Sequence, residues 1–205
     1  MDWKLNRIHY PVYNLGRGKR IGIWVQGCTL ACKGCISRSL WKTSGGKNVS
    51  VETLVQEIEK IYSGFSGITI TGGEPFQQYP ALISFCAYLK ERTGSEIYVF
   101  TGYTLKELFD LFPDKLFMKY IDYLMDGRYV AGIHEDRNLR GSANQKLYLL
   151  KNAKAIPQKQ YFQSDKFGLH ISGNQTIFLS GIPRKNDMNN LKKYLKHSGI
   201  IIKSV

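Results

Sequence analysis

The sequence lacks any apolar run approaching the roughly 18 residues that a membrane span requires. Its opening stretch, MDWKLNRIHYPVYNLGRGKR, lacks the apolar core of a secretory signal. Both absences point to the cytoplasm. No repeat, low-complexity segment or convincing linker interrupts the chain, so its 205 residues read as one domain with an appendage. Acidic residues are scarce: 16 Asp and Glu stand against 29 Lys and Arg, a net charge of +13. The imbalance is concentrated late, with 10 basic and 2 acidic residues from position 151 onward. Such a segment suits an acidic partner, a phosphorylated substrate or a solvated surface. No nucleic-acid motif accompanies it, so nucleic acid is not an expected partner. The four histidines (His9, His134, His170, His197) have no metal-like spacing.

What is present is a soluble globular composition, 43% hydrophobic and 13% aromatic. Ile21–Val25 reads as a buried strand, and Ser50 can cap a helix over about Val51–Tyr62. A second strand, Ile68–Thr71, stops at Gly72-Gly73; a helix follows over about Pro80–Arg92, then a strand Ile97–Phe100 closed by Thr101-Gly102. Leu105–Leu111 reads as a short helix and Tyr120–Met125 as a fourth strand. This alternation predicts an α/β fold with a parallel sheet and helices outside it. Further on, Gln145–Leu150 reads as a strand, and Gly168–Ser172 with Thr176–Ser180 as a hairpin around Gly173-Asn174-Gln175. A last helix over about Met188–His197 precedes the apolar tail Ile200–Ile202.

Cysteine is used sparingly and locally. Three of the four fall within eight residues, as Cys28-x3-Cys32-x2-Cys35. In a reducing compartment such clustering suggests metal ligation before disulfides. Three thiolates on one loop can hold three irons of a cubane cluster and leave the fourth iron open to a ligand. The competing arrangement is a structural zinc site completed by Cys86, His134 or His170. Cys86, in the apolar stretch FCAYL, reads as a buried inert thiol.

Thr71-Gly72-Gly73-Glu74-Pro75 ends the second strand. Two glycines there let backbone approach a ligand closely, and in parallel sheets the ligand crevice lies at that end of the strands. The cysteine loop follows the first strand, so both motifs converge on one rim. The cysteine spacing, with Gly-Gly-Glu-Pro about 40 residues beyond it, resembles the radical S-adenosylmethionine (SAM) superfamily. The resemblance implies a partial (β/α) barrel over residues 1–150, with residues 151–205 as a basic hairpin-helix extension packed on the same domain. It implies one 4Fe–4S cluster on Cys28, Cys32 and Cys35, and SAM bound by Gly34, Ile36, Gly72, Gly73, Glu74, Pro75, Thr101 and Asp126. It also implies an external one-electron donor such as flavodoxin or ferredoxin.

The resemblance narrows further. VQGCTLACKGC followed by Trp41, then TGGEPFQQ, FTGYTLKEL, DYLMDGRY and RGSANQ, is similar to the activating enzymes of anaerobic ribonucleotide reductase over about residues 15–150. Such enzymes remove a hydrogen from one glycine Cα of a glycyl-radical partner protein. Gly34 stands where many superfamily members carry an aromatic, and the chain runs about 55 residues past the similar region. Two other readings stay open. One is a radical SAM maturase acting on a peptide or phosphorylated small molecule; the other is a metal-bound adaptor without catalysis. Asp126-Gly127 also suits a plain strand-end turn, and Arg140–Gln145 a loop that satisfies its own backbone.

Overall fold

Short β-branched runs alternate with capped amphipathic segments through the middle of the chain, and each becomes a strand or helix. The structure, a computed structural model, describes residues 1–135, 139–159, 167–171, 177–181, 183 and 186–197. The parallel strands are β2 (Arg20–Val25), β4 (Gly67–Gly72), β5 (Ile97–Phe100) and β6 (Tyr123–Asp126). On one side β1 (Asp2–Val12) pairs antiparallel with β2, and β3 (Lys47–Ser50) with β1. On the other, β7 (Lys146–Lys151) and β8 (Lys154–Pro157) add antiparallel strands after β6. Among the described residues this makes one eight-stranded mixed sheet in the order β3-β1-β2-β4-β5-β6-β7-β8. The sheet continues through β8, past the boundary at residue 150.

Helices α1 (Val51–Ile61) and α2 (Tyr79–Thr93) connect the parallel strands, with α3 (Leu105–Leu111) and the short α4 (Phe117–Tyr120) further on. The Ser50 hydroxyl accepts from Thr53 N–H and starts α1, and Thr104 and Glu107 form a reciprocal capping box on α3. Val51, Leu54, Val55 and Ile58 of α1 pack with Leu82, Phe85 and Leu89 of α2 against Ile21, Ile23, Ile68, Ile70, Ile97 and Val99. Strand residues alternate between faces, so the opposite face carries Arg20, Trp24, Thr69, Thr71, Tyr98 and Phe100. That face is covered differently. β9 (Phe167–Ile171) and β10 (Ile177–Gly181) form a separate antiparallel pair, followed by α5 (Asp187–His197). Phe178 of β10 meets the Trp24 ring edge-on at 4.9 Å, and Asn14 and Ser180 bond each other twice in a buried pair.

Three strands were not expected from the sequence: β1, β3 and β8. Tyr120–Met125 needs correction too. Tyr120 closes α4, and Ile121 N–H donates to Phe117 carbonyl, so β6 starts only at Tyr123. Asp122 before it is occupied, accepting from Ile97 N–H and Lys90. The turn at 173–175 and the tail at 200–202 lie outside the described residues. No helix among the described residues is long and apolar enough to cross a membrane.

At the N-terminal ends of the parallel strands a guanidinium is fully buried. Arg20 Nε donates to Thr69 Oγ1 at 2.7 Å; Nη1 reaches Arg17 carbonyl and Glu96 Oε1, and Nη2 reaches the carbonyls of Ile68 and Glu96. Its plane lies 4.0 Å over the Tyr98 ring. Burial lowers its pKa, while the hydrogen bond and charge of Glu96 work the other way. Five donors thus gather β2, β4 and β5 at one point. Arg20→Met would strand several buried acceptors, and we expect it to cost about 3–5 kcal/mol of stability. Chemical denaturation of the purified variant measures this; a loss under about 1 kcal/mol would refute the pinning role.

Candidate metal centre and ligand chamber

The four parallel strands end at one rim, and a chamber of about 780 Å³ opens there. That size suits a drug-sized ligand. Its walls come from the loop after β2, the diglycine end of β4, Thr101-Gly102 after β5 and Gly127 after β6. Cys28, Cys32 and Cys35 all line it. Gly34, Ile36, Gly72, Gly73, Glu74 and Thr101 line it too, whereas Pro75 and Asp126 do not. The physical reasons are plain. Pro75 is buried at the start of a short 3-10 turn. Asp126 gives its oxygens to the N–H groups of Leu105 and Lys146, fixing the turn that presents Gly127. Asn144 and Gln145 serve the same turn, donating to the carbonyls of Arg128 and Gly127.

The cysteine loop is anchored at both ends. Gly27 and Cys28 donate backbone bonds to the carbonyls of Leu40 and Trp41, and Cys35 N–H closes a turn onto Cys32 carbonyl. Ala31 adopts a left-handed φ of 47°, an uncommon conformation for alanine that bends the chain between the first two cysteines. Gly34 has φ 83°, and a Cβ there would press on Tyr129 and Ala131 at 3.2 and 3.3 Å. An aromatic at this position would not fit. The three thiols are free and partly exposed, while Cys86 is fully buried within the apolar core of α2. Burial pushes the Cys28 thiol up, while hydrogen bonds from the backbone at Leu30 and Ala31 pull it down. Three soft sulfur donors on one curled loop facing a chamber fit an iron–sulfur cluster with one open iron. Cys86 stays in the core, and the side chain of His170 lies outside the described residues. Among the described residues no three His, Cys, Asp or Glu groups gather closely enough to hold a single metal ion.

The diglycine does more than admit a ligand. Gly73 N–H donates to Val25 carbonyl and Glu74 N–H to Gly27 carbonyl, both at 2.8 Å. A Cβ on Gly73 would fall 2.3 Å from the Gly27 oxygen. The second motif therefore lies directly against the root of the first, and only glycine permits that approach. Two glutamines strengthen the seam. Gln77 exchanges bonds with Thr29, and Gln78 donates to the carbonyls of Gln26 and Lys4. In the sequence the only signal for this Gln-Gln pair is its position at the end of TGGEPFQQ. His134, one of the four histidines without metal-like spacing, also lines the chamber. Its Nδ1 lies 3.2 Å from the Tyr129 hydroxyl, and its buried Nε2 has no hydrogen-bond partner among the described residues.

Glu74 is buried and fully engaged. Oε1 accepts from Phe76 N–H and Thr101 Oγ1, and Oε2 accepts from Gly102 N–H at 2.7 Å. It thereby ties the end of β4 to the end of β5. Burial pushes its carboxyl up to about 7, and the three donors and the Arg128 charge limit the rise. With the folded value above the ordinary 4.5, its contribution to stability is full below about pH 4.5 and lost as pH rises through about 7. Glu74→Gln places an amide donor against Phe76 or Gly102 N–H. We expect it to cost about 1–3 kcal/mol and to flatten the dependence of stability on pH between 5 and 7. Denaturation series across that range would show an unaltered slope if the assignment were wrong.

Residues 14–148 match the family described as a 4Fe-4S single cluster domain. The anaerobic ribonucleoside-triphosphate reductase-activating protein of Vibrio cholerae serotype O1 is 33% identical over 151 residues, 68% of this chain and 94% of its own length. The protein of that name from Haemophilus influenzae is 34% identical over 153 residues, 70% of this chain and 96% of its own. Among solved structures, QueE from Escherichia coli is similar over 51% of this chain and 54% of its own, at 22% identity and a TM-score of 0.43. The matched region contains the three cysteines, the diglycine and every strand end that walls the chamber, and the chain belongs to the family of anaerobic ribonucleoside-triphosphate reductase-activating proteins.

Proposed function

We propose that the chain is a radical SAM activating enzyme that generates a glycyl radical on an anaerobic ribonucleotide reductase in the cytoplasm, drawing electrons from a flavodoxin- or ferredoxin-type donor. The observation that carries this reading is the seam between Gly73-Glu74 and Gly27, which brings the cysteine loop and the diglycine motif to one chamber. Four parallel strands with helices on one face and a chamber at their ends support a partial barrel of the radical SAM type. In this reading residues 1–150 form the catalytic unit and 151–205 an extension packed on it.

Cys28, Cys32 and Cys35 would hold the cluster. A bound 4Fe–4S cluster would supply one electron to SAM, the chemistry from which hydrogen removal at a glycine would follow. The protein's own part is to bind, orient and shield. Gly34, Ile36, Gly72, Gly73 and Thr101 would border SAM, with the Gly72-Gly73 backbone toward its amino group. Glu74 and Asp126 hold those borders in place through the bonds described above, and Pro75 opens the short turn beside them. His134 Nε2 is a buried polar group on the chamber wall able to meet a ligand atom. Leu30, Ile36, Phe100 and Leu139 give the chamber wall an apolar part.

Anaerobic reconstitution tests the assignment. Alanine at Cys28, Cys32 or Cys35 should abolish stable loading of iron and sulfide and the reductive cleavage of SAM to 5′-deoxyadenosine. Cys86→Ala should retain both and cost about 1–2 kcal/mol of packing. Full iron loading in Cys32→Ala would sink the cluster assignment.

A further inference from the structure

We infer that the outer face of the cysteine loop is the docking surface for an acidic one-electron carrier protein, with Lys33, Arg38 and Lys42 as its central charged contacts; this rests on the function proposed above. Positive charge has a second concentration besides the late segment. Between Trp3 and Val51 stand nine Lys and Arg and no Asp or Glu. Four of the nine, Lys33, Arg38, Lys42 and Lys47, lie on the stretch that runs from the cysteines into β3, and all four are exposed. None of these four forms an ion pair with a described residue.

Folding gathers these cations around the root of the loop. Trp41 carbonyl accepts from Cys28 N–H at 3.1 Å, and Lys42 carbonyl accepts from Gln26 Nε2 at 2.6 Å. The Arg38 guanidinium lies 5.7 Å from the centre of the Trp41 ring. Lys47 pairs with Leu5, and a Cβ on the preceding Gly46 would fall 2.7 Å from the Gln26 side chain. The carboxylates at this end of the sheet are engaged elsewhere: Glu74 is buried, Glu107 pairs with Arg128, and Glu135 pairs with Arg140. Four cations around one loop set a positive local field.

The two sides of the loop differ. Its thiols line the chamber together with Thr101, Gly127 and, from the later segment, Pro183 and Met188. Thr29, Ala31, Lys33 and Arg38 are exposed and take no part in that wall. Ile36, one residue past Cys35, is 61% exposed and adds an apolar contact between Lys33 and Arg38 in the chain. SAM in the chamber would occupy the inner side, so a protein that hands over an electron reaches the cluster most directly from the outer side. Electron transfer weakens steeply with distance, and short-lived redox encounters use small interfaces steered by complementary charge. One electron leaves the reduced centre of the carrier and enters the cluster; no atom is transferred. A cationic surface at this place selects an acidic carrier and speeds its arrival.

The probe is a purified, strongly acidic flavodoxin. Its association in the oxidised state with the reconstituted full-length protein is followed by surface plasmon resonance at about 0.1 M and about 1 M salt, where charges are screened beyond about 10 Å and about 3 Å. At the lower salt, Lys33→Gln/Arg38→Gln/Lys42→Gln should associate about tenfold more slowly, and at the higher salt it should match the unaltered protein. Lys60, Arg92 and Lys119 are exposed near the ends of α1, α2 and α4 that lead into the strand N-termini. Removing the same three charges there, by Lys60→Gln/Arg92→Gln/Lys119→Gln, should change the rate by less than about twofold. A second readout compares 5′-deoxyadenosine formed with electrochemically reduced flavodoxin and with photoreduced deazariboflavin, a small uncharged donor. The loop variant should slow the first about tenfold and leave the second within about twofold. No association of the unaltered protein, or unchanged association of the loop variant, overturns the inference. Equal loss with both reductants also overturns it, because it makes these side chains part of the cluster site. Retained flavodoxin-driven cleavage with loss of the radical on the reductase overturns it by assigning the face to that partner. Absence of SAM cleavage with deazariboflavin in the unaltered protein overturns the underlying reading instead.

Discussion

Two buried ionisable groups hold the parallel strands, one at each end. Arg20 draws β2, β4 and β5 together at their N-terminal ends, and Glu74 joins the ends of β4 and β5 at the rim. A buried guanidinium or carboxylate is costly unless every donor or acceptor is matched, and here each finds backbone and hydroxyl partners. Because those partners sit on different strands, neither group can be satisfied unless the strands are aligned. Alignment in turn sets where the loops after β2, β4, β5 and β6 meet. The chamber inherits its shape from these two groups.

The seam between the motifs is a backbone constraint of another kind. Glycine at 73 removes the only side-chain atom that would separate β4 from the root of the cysteine loop. Side chains from both sides then reinforce the contact: Gln77 with Thr29, and Gln78 with Gln26. Nearly all the hydrogen bonding that shapes the site is therefore made without exposed charge. Among the described residues, backbone, the three thiols and the imidazole of His134 are part of the chamber wall.

The chemistry of the site was legible in the sequence because it resides in short spacings. Cys28-x3-Cys32-x2-Cys35 and Gly72-Gly73 are local, and a loop that binds metal must place its ligands locally. For Asp126 the sequence shows a carboxylate at a strand end but not the N–H groups of Leu105 and Lys146 that its oxygens accept from. Arg20 was invisible for a similar reason: its partners lie about 50 and 76 residues away. β1 escaped notice because its burial alternates only over its first few residues and its pairing with β2 is broken by irregularities. α1 and β5 were clear, since one carries a regular apolar stripe behind a serine cap and the other is uniformly apolar. Met188 and Pro183 could not be placed at the chamber from sequence, because only the docking of Phe178 and Ser180 carries them there.

The Asn14–Ser180 contact has a consequence for how the molecule assembles. The parallel strands and their helices are joined by short connections, so their pairing requires modest loop closure. A contact spanning 166 residues closes a long loop and is expected to come late. During synthesis, too, residue 180 leaves the ribosome after the cysteine loop and all four parallel strands. The chamber thus passes through a stage in which its rim is formed and its last wall is not.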